Sequence, residues 1–154
     1  MDKYRLSVIR GNAGELHSLA GRDACTRGVE SDEAADLSLC AALAQKSGAV
    51  VAASGATDLV TDGKSVVEIV NGVPLMGKIC GTGCMAGSAV AAAAAVAPPF
   101  DAAVFSHCAL GIAGEKAFVY AKGPGTFKHA LFDEVFSLTA DDLEQYAKIR
   151  EVSL

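Results

Sequence analysis

Seven consecutive residues, Lys78-Ile79-Cys80-Gly81-Thr82-Gly83-Cys84, combine groups that can hold an anion and react beside it. The glycine-rich turn leads into an Ala-rich run that reads as helix. A helix start leaves backbone N–H groups unpaired at the positive end of its dipole, and a phosphate satisfies both. Gly81 and Gly83 let the main chain approach such a ligand, and Thr82 adds a hydroxyl. Cys84 falls in the first helical turn, where a thiol gains reactivity. Taken alone, the same residues also make an ordinary strand-to-helix turn with a buried cysteine.

Three further side chains suit phosphate chemistry. Arg10 stands at the end of an alternating strand over residues 4–9, the place where α/β folds bind ligands. Its planar fork offers paired donors to phosphate, although many strand-end arginines are simply solvated. Ser54 follows the apolar run 49–53 and serves either as a turn residue or as a phosphate donor. Glu15 stands three residues after Asn12, the spacing of a capping box, and a carboxylate there can also lie near a metal. His17, His107 and His129 have no carboxylate or serine partner at motif spacing and read as surface or packing residues. Asp62 and Asn71 read as hairpin-turn residues.

These groups need a scaffold, and the chain supplies an α/β pattern. Helices are expected from Asn12 to about residue 20, from residue 31 or 32 to about 46, and over 85–97, 101–121, 127–137 and 140 to about 150. Strands are expected over 4–9 and 49–53, with an antiparallel ribbon at 57–61, 65–70 and 74–79. Two parallel strands against about six helices leave the sheet short.

Composition narrows the class. The 154 residues are 51% hydrophobic and 20% charged, which describes one folded domain rather than a disordered chain. A net charge of −5 with no basic cluster argues against non-specific nucleic-acid binding. Five cysteines, an odd number without a CxxC pair, suit reduced thiols, and Cys80, Cys84 and His107 lack the spacing of a zinc finger or ribbon. The opening Met-Asp-Lys-Tyr has no apolar h-region, and the apolar run 84–97 is too short to span a bilayer. A cytoplasmic protein is expected.

Several segments together resemble the hydroxyethylthiazole kinase family of thiamin biosynthesis. They are Val8-Ile9-Arg10-Gly11-Asn12-Ala13 with Glu15, Arg27-Gly28-Val29-Glu30-Ser31, and residues 50–55 with Asp58 and Thr61-Asp62-Gly63. Asn71-Gly72 with Pro74-Leu75-Met76, Gly81-Thr82-Gly83-Cys84, Gly111-Ile112-Ala113-Gly114-Glu115 and Gly123-Pro124-Gly125-Thr126-Phe127 continue the series in order. The resemblance implies a ribokinase-like three-layer αβα sandwich, incomplete on its N-terminal side and carrying an antiparallel hairpin insertion. It implies transfer of the ATP γ-phosphoryl group, with Mg²⁺, to the primary alcohol of 4-methyl-5-(2-hydroxyethyl)thiazole. By the same resemblance Arg10 and Ser54 contact ATP, Gly81 lies against the thiazole, Cys84 stands near its hydroxyl, and Glu15 lies near the metal. Thr82 and Gly83 complete the phosphate turn.

The family pattern carries a long segment before the Arg-Gly-Asn strand, so residues 1–154 are expected to form a single domain matching the carboxyl-terminal portion. A homotrimer, or pairing with a complementary N-terminal half, is the expected assembly, with a sheet edge and the run 49–53 left uncovered. Two rivals stand beside the kinase. One is a catalytically impaired nucleotide-binding or oligomerisation fragment. The other is a nucleotide-dependent hydrate dehydratase of the ribokinase-like group, which carries aspartate where this chain has Cys84.

Overall fold

The structure, a computed structural model, describes residues 5–21 and 36–154. Most of the expected loop at 21–31, the start of the helix after it, Cys25 and the segment 27–31 lie outside the described residues.

Strand β1 (Val8–Asn12) runs directly into helix α1 (Ala13–Leu19) through a capping box. The Asn12 side chain accepts from Glu15 N at 2.9 Å, and Glu15 Oε2 accepts from Asn12 N at 2.8 Å. Helix α2 (Leu37–Ser47) starts on Asp36 Oδ1, which accepts from Ser38 N and Leu39 N. Strand β2 (Val50–Ser54) follows and pairs parallel with β1, placing Arg10 opposite Ala52 and Asn12 opposite Ser54.

Strands β3 (Asp58–Thr61) and β4 (Val66–Ile69) form the expected hairpin, with Asp62 Oδ1 accepting from Lys64 N and Ser65 N across its turn. The hairpin is not a separate ribbon. It continues the sheet beyond β2, and strand β5 (Ile149–Val152) adds to its far side, in the order β1-β2-β3-β4-β5. Among the described residues only β1 and β2 are parallel. The deficit of strands is thereby smaller than expected, and residues 49–53 are fully covered rather than exposed.

Helices α3 (Thr82–Ala93), α4 (Pro99–Phe118), α5 (Pro124–Ser137) and α6 (Ala140–Tyr146) complete the chain. Two expectations fail here. Residues Pro74–Lys78 form a 3₁₀ helix instead of a strand, opened by a proline with no N–H to give a ladder. The last helix stops at Tyr146, and Ile149–Val152 pairs with β4.

Strand alternation sorts the core into layers. Ile9, Val51, Ala53, Leu59 and Val66 pack with Leu16 of α1 and with Leu39, Cys40 and Leu43 of α2. Val50, Ala52, Val60, Val67 and Ile69 face Val90 of α3 and Ala103, Cys108 and Ile112 of α4. The other side of α4, through Leu110, Ala113 and Ala117, packs on Phe127 and Leu131 of α5. Among the described residues no helix is long and apolar enough to cross a membrane.

Candidate phosphate site

The carboxyl ends of β1 and β2 lie side by side, and α3 begins beside them. Arg10 is the residue that joins the three elements. Its Nη2 donates to Ser54 Oγ at 2.6 Å, from β1 across to the end of β2. A β-carbon on Gly83 would stand 3.0 Å from Arg10 Nη1, so the guanidinium rests against the first turn of α3. Among the described residues no carboxylate pairs with Arg10, and its Nε is buried without a partner. A half-buried cation with donors to spare and no counter-charge is suited to an incoming anion.

The start of α3 adds backbone donors. No side chain caps this helix, and its N-cap Gly81 has φ +109°, a left-handed conformation that disfavours any side chain. Nothing lies within 4 Å of the β-carbon position of Gly81, so that side of the turn is open. Thr82 Oγ1 donates to Met76 O at 3.2 Å, so its hydroxyl ties the turn to the 3₁₀ helix. Its contribution to an anion is then through backbone N–H. Cys84, in the first turn of α3, is exposed rather than buried, as is Cys80.

Glu15 lies next to this group. Its Oε2, besides accepting from Asn12 N, would stand 3.1 Å from a β-carbon on Gly11. The capping role and a place at the end of β1 therefore coexist. Among the described residues no three His, Cys, Asp or Glu side chains cluster to cage a metal. One exposed carboxylate beside a phosphate site nevertheless fits Mg²⁺, which usually takes one or two carboxylates together with phosphate oxygens and waters.

The structure thus brings Arg10, Ser54 and Gly83 into direct contact or near contact, with Gly81, Thr82, Cys84 and Glu15 on the adjoining turns. A cavity of about 250 Å³ lies along the Arg10 stem, lined by Val8, Gly87, Val90, Ala91 and Ala94. The larger cleft, about 740 Å³, lies at the amino ends of the same strands, against Ser7, Ala49 and the β3–β4 turn, and contains none of these residues.

Two residues read differently from their sequence. Asn71 is buried, not a turn residue. Its Oδ1 accepts from Lys148 N at 2.8 Å and its Nδ2 donates to Tyr146 O at 2.9 Å and Glu115 Oε1 at 3.3 Å. Gly72 N also donates to Glu115 Oε1, at 2.8 Å. His107 is buried on α4 and holds Asp58 Oδ2 through Nδ1 at 2.7 Å. These partners are 49 residues apart in sequence, and no local spacing announces them.

Comparison with known proteins places the chain in a family. The profile described as "HK: Hydroxyethylthiazole kinase family" matches residues 1–141. The chain is 47% identical over 153 residues to the hydroxyethylthiazole kinase of Methanocorpusculum labreanum, covering 98% of this chain and 58% of that protein. It is 38% identical over 157 residues to the enzyme of the same name from Pyrococcus furiosus, covering 99% of this chain and 58% of that one. The solved structure of a hydroxyethylthiazole kinase protein from Pyrococcus horikoshii OT3 superposes with a TM-score of 0.83 at 34% identity, over 96% of this chain and 55% of that one. The chain therefore spans somewhat more than half the length of the relatives it matches, and it belongs to the hydroxyethylthiazole kinase family.

Proposed function

We propose that this chain carries the phosphate side of a hydroxyethylthiazole kinase, which transfers the γ-phosphoryl group of ATP to the primary alcohol of 4-methyl-5-(2-hydroxyethyl)thiazole in thiamin biosynthesis or salvage. The observation that carries this reading is the Arg10 guanidinium, bonded to Ser54 and resting on Gly83, with no carboxylate among the described residues to neutralise it. Phosphoryl transfer depends mostly on positioning and charge stabilisation, and these groups supply both. Arg10 and the N–H groups of residues 81–83 would hold phosphate oxygens while Ser54 orients the arginine. Gly81 would lie against the thiazole, and Cys84 would position the alcohol and act as a weak base for its proton. The alcohol oxygen bonds to the γ-phosphorus as the bond to the ADP oxygen breaks. Mg²⁺, when bound near Glu15 and the phosphates, would offset the charge on the transferring group.

Free thiols at Cys40, Cys80, Cys84 and Cys108 support a reducing, cytoplasmic setting. The active assembly on this reading is a homotrimer, or this chain paired with a polypeptide that supplies what the longer relatives carry beyond the matched region. A second reading is a catalytically impaired nucleotide-binding or oligomerisation fragment, in which the same Arg10 contacts bind Mg·ATP without turnover.

The test is ligand-induced stabilisation. Mg·ATP at about 100 times its Kd should stabilise the chain by about 2.7 kcal/mol, with a rise in Tm to match. Arg10→Ala should abolish most of that rise and leave the ligand-free Tm nearly unchanged. An equal rise in the variant removes Arg10 from the phosphate site. Adding the thiazole and following ADP release then separates a turning-over kinase from a binding segment.

A further inference from the structure

The turn that follows Ser54 has its own anchor. Gly55 N donates to Asp58 Oδ1 at 2.9 Å, closing residues 55–58 into a loop directly after Ser54. The other oxygen of Asp58 meets His107 Nδ1 at 2.7 Å. The His107 side chain is 1% exposed and that of Asp58 18%, so the carboxylate bridges from the surface turn into the core. Since β2 and β3 are antiparallel, Asp58 at the start of β3 lies at the same end of the sheet as Ser54. A continuous path runs from α4 through His107, Asp58, the Gly55 amide and Ser54 to Arg10.

The chemistry of His107 is costly for a packing residue. With Nδ1–H given to the carboxylate, Nε2 is buried with no partner among the described residues. A buried polar atom left unpaired opposes folding by about 1–3 kcal/mol, a cost that a leucine at the same place would not carry. What the imidazole provides and leucine cannot is a rigid, directed N–H toward Asp58.

We propose that Asp58 and His107 are positioning residues for the phosphate site: they fix the turn that follows Ser54 at the end of β2, and through Ser54 Oγ they set the place of the Arg10 guanidinium. This rests on the kinase reading for the identity of the anion, but the brace itself does not. On this proposal neither residue needs to touch the nucleotide. Their effect on binding passes entirely through Ser54.

A double-mutant cycle tests that route. Calorimetric titration of the chain with Mg·ATP is run for His107→Leu, His107→Gln and Asp58→Ala, each alone and on a Ser54→Ala background. His107→Leu and Asp58→Ala should each weaken binding by about fivefold, the loss of roughly one hydrogen bond. On Ser54→Ala they should add nothing further. His107→Gln, whose amide N–H can still reach Asp58, should recover most of the affinity. If His107→Leu fails to fold, Asp58→Ala carries the same comparison at a partly exposed position. Amide hydrogen exchange without nucleotide supplies the independent readout, and Gly55 should exchange faster in both variants while β2 stays protected. Equal affinity in the variants, or full additivity with Ser54→Ala, overturns the proposal. Unchanged exchange at Gly55 overturns the brace even if ATP binds. A wild-type chain that takes up no Mg·ATP overturns the kinase reading instead, and the exchange result then decides the brace.

Discussion

Gly83 presents a bare α-carbon to Arg10, and a β-carbon there would stand 3.0 Å from Nη1. The neighbour that must move is the far end of a long side chain, so the backbone of α3 can stay where it is. Gly83→Ala should therefore separate binding from stability. Alanine favours a helix over glycine by about 1 kcal/mol, so Tm should hold or rise slightly. Mg·ATP affinity should fall as the guanidinium is displaced. A variant that keeps full affinity would show that Arg10 does not need its present place against α3.

The cysteines divide by burial, and their reactivity should follow. Burial, reinforced by the Asp36 charge, pushes the Cys40 thiol up to about 11, and burial raises that of Cys108 as well. Cys80 and Cys84 are exposed. Alkylation near pH 8 followed by mass spectrometry should label Cys80 and Cys84 and leave Cys40 and Cys108 largely unmodified. Mg·ATP together with the thiazole should shield Cys84 more than Cys80. Linkage gives a second readout. The folded state holds the Cys40 proton more tightly than the unfolded chain, so its contribution is complete below about pH 9 and is lost as pH rises toward 11. Equal labelling of all four thiols would mean that the α2 and α4 faces open readily.

Acid should loosen the C-terminal helices. Lys116 donates to Asp142 Oδ1 at 2.9 Å, linking α4 to α6, and Thr139 donates to the other oxygen. Those hydrogen bonds, with Lys116 foremost, hold the Asp142 carboxyl down at about 2. A depressed folded-state pKa gives stability that is present above the unfolded value near 3.9 and is lost as pH falls toward 2. Asp142→Asn should flatten that part of the stability profile, measured by thermal melts from pH 5 to pH 2. Asp62 titrates in the same direction, held down chiefly by the Ser65 and Lys64 amides, and remains as background in the variant. An unchanged profile would locate the acid response elsewhere.

Much of the geometry around Arg10 is legible in the sequence because its signals are local. Asn12 and Glu15 at capping-box spacing, an extended run leading into Arg10, and glycines flanking Thr82 each report on a few consecutive residues; the strand itself lies further on than residues 4–9, at Val8–Asn12. The sheet was less legible for the opposite reason. The strand Ile149–Val152 has four residues, follows a strongly capped helix, and becomes a strand by pairing with β4 more than 80 positions earlier, as Glu68 and Arg150 do at 2.8 Å. The extended-looking segment around Pro74 lacks a proline N–H for pairing and coils into 3₁₀. The Asn71 turn reading fails, and the Asp58 partner of His107 is invisible in sequence, because their partners come from distant elements.

Asn71 supplies the last test, because it ties the end of β4 to the start of β5. Its amide accepts from Lys148 N and donates to Tyr146 O, so one side chain satisfies two backbone groups just before the edge strand. It also meets Glu115, whose Oε1 takes the Gly72 amide and whose Oε2 takes Lys148 Nζ at 2.8 Å. Asn71→Ala removes these bonds and opens a gap beside Gly111, where the two backbones approach closely. A loss of about 2 kcal/mol is expected from urea denaturation, the cost of leaving such partners unpaired. Hydrogen exchange should find the change first in residues 146–152, with β1 and β2 unaffected. Since Arg10 and Ser54 lie on the far side of the sheet order, Mg·ATP affinity should stay within about twofold, inside the usual additivity error for distant sites. A large drop in affinity would mean that the β5 edge and the phosphate site are coupled through α4, which also carries Glu115 and His107.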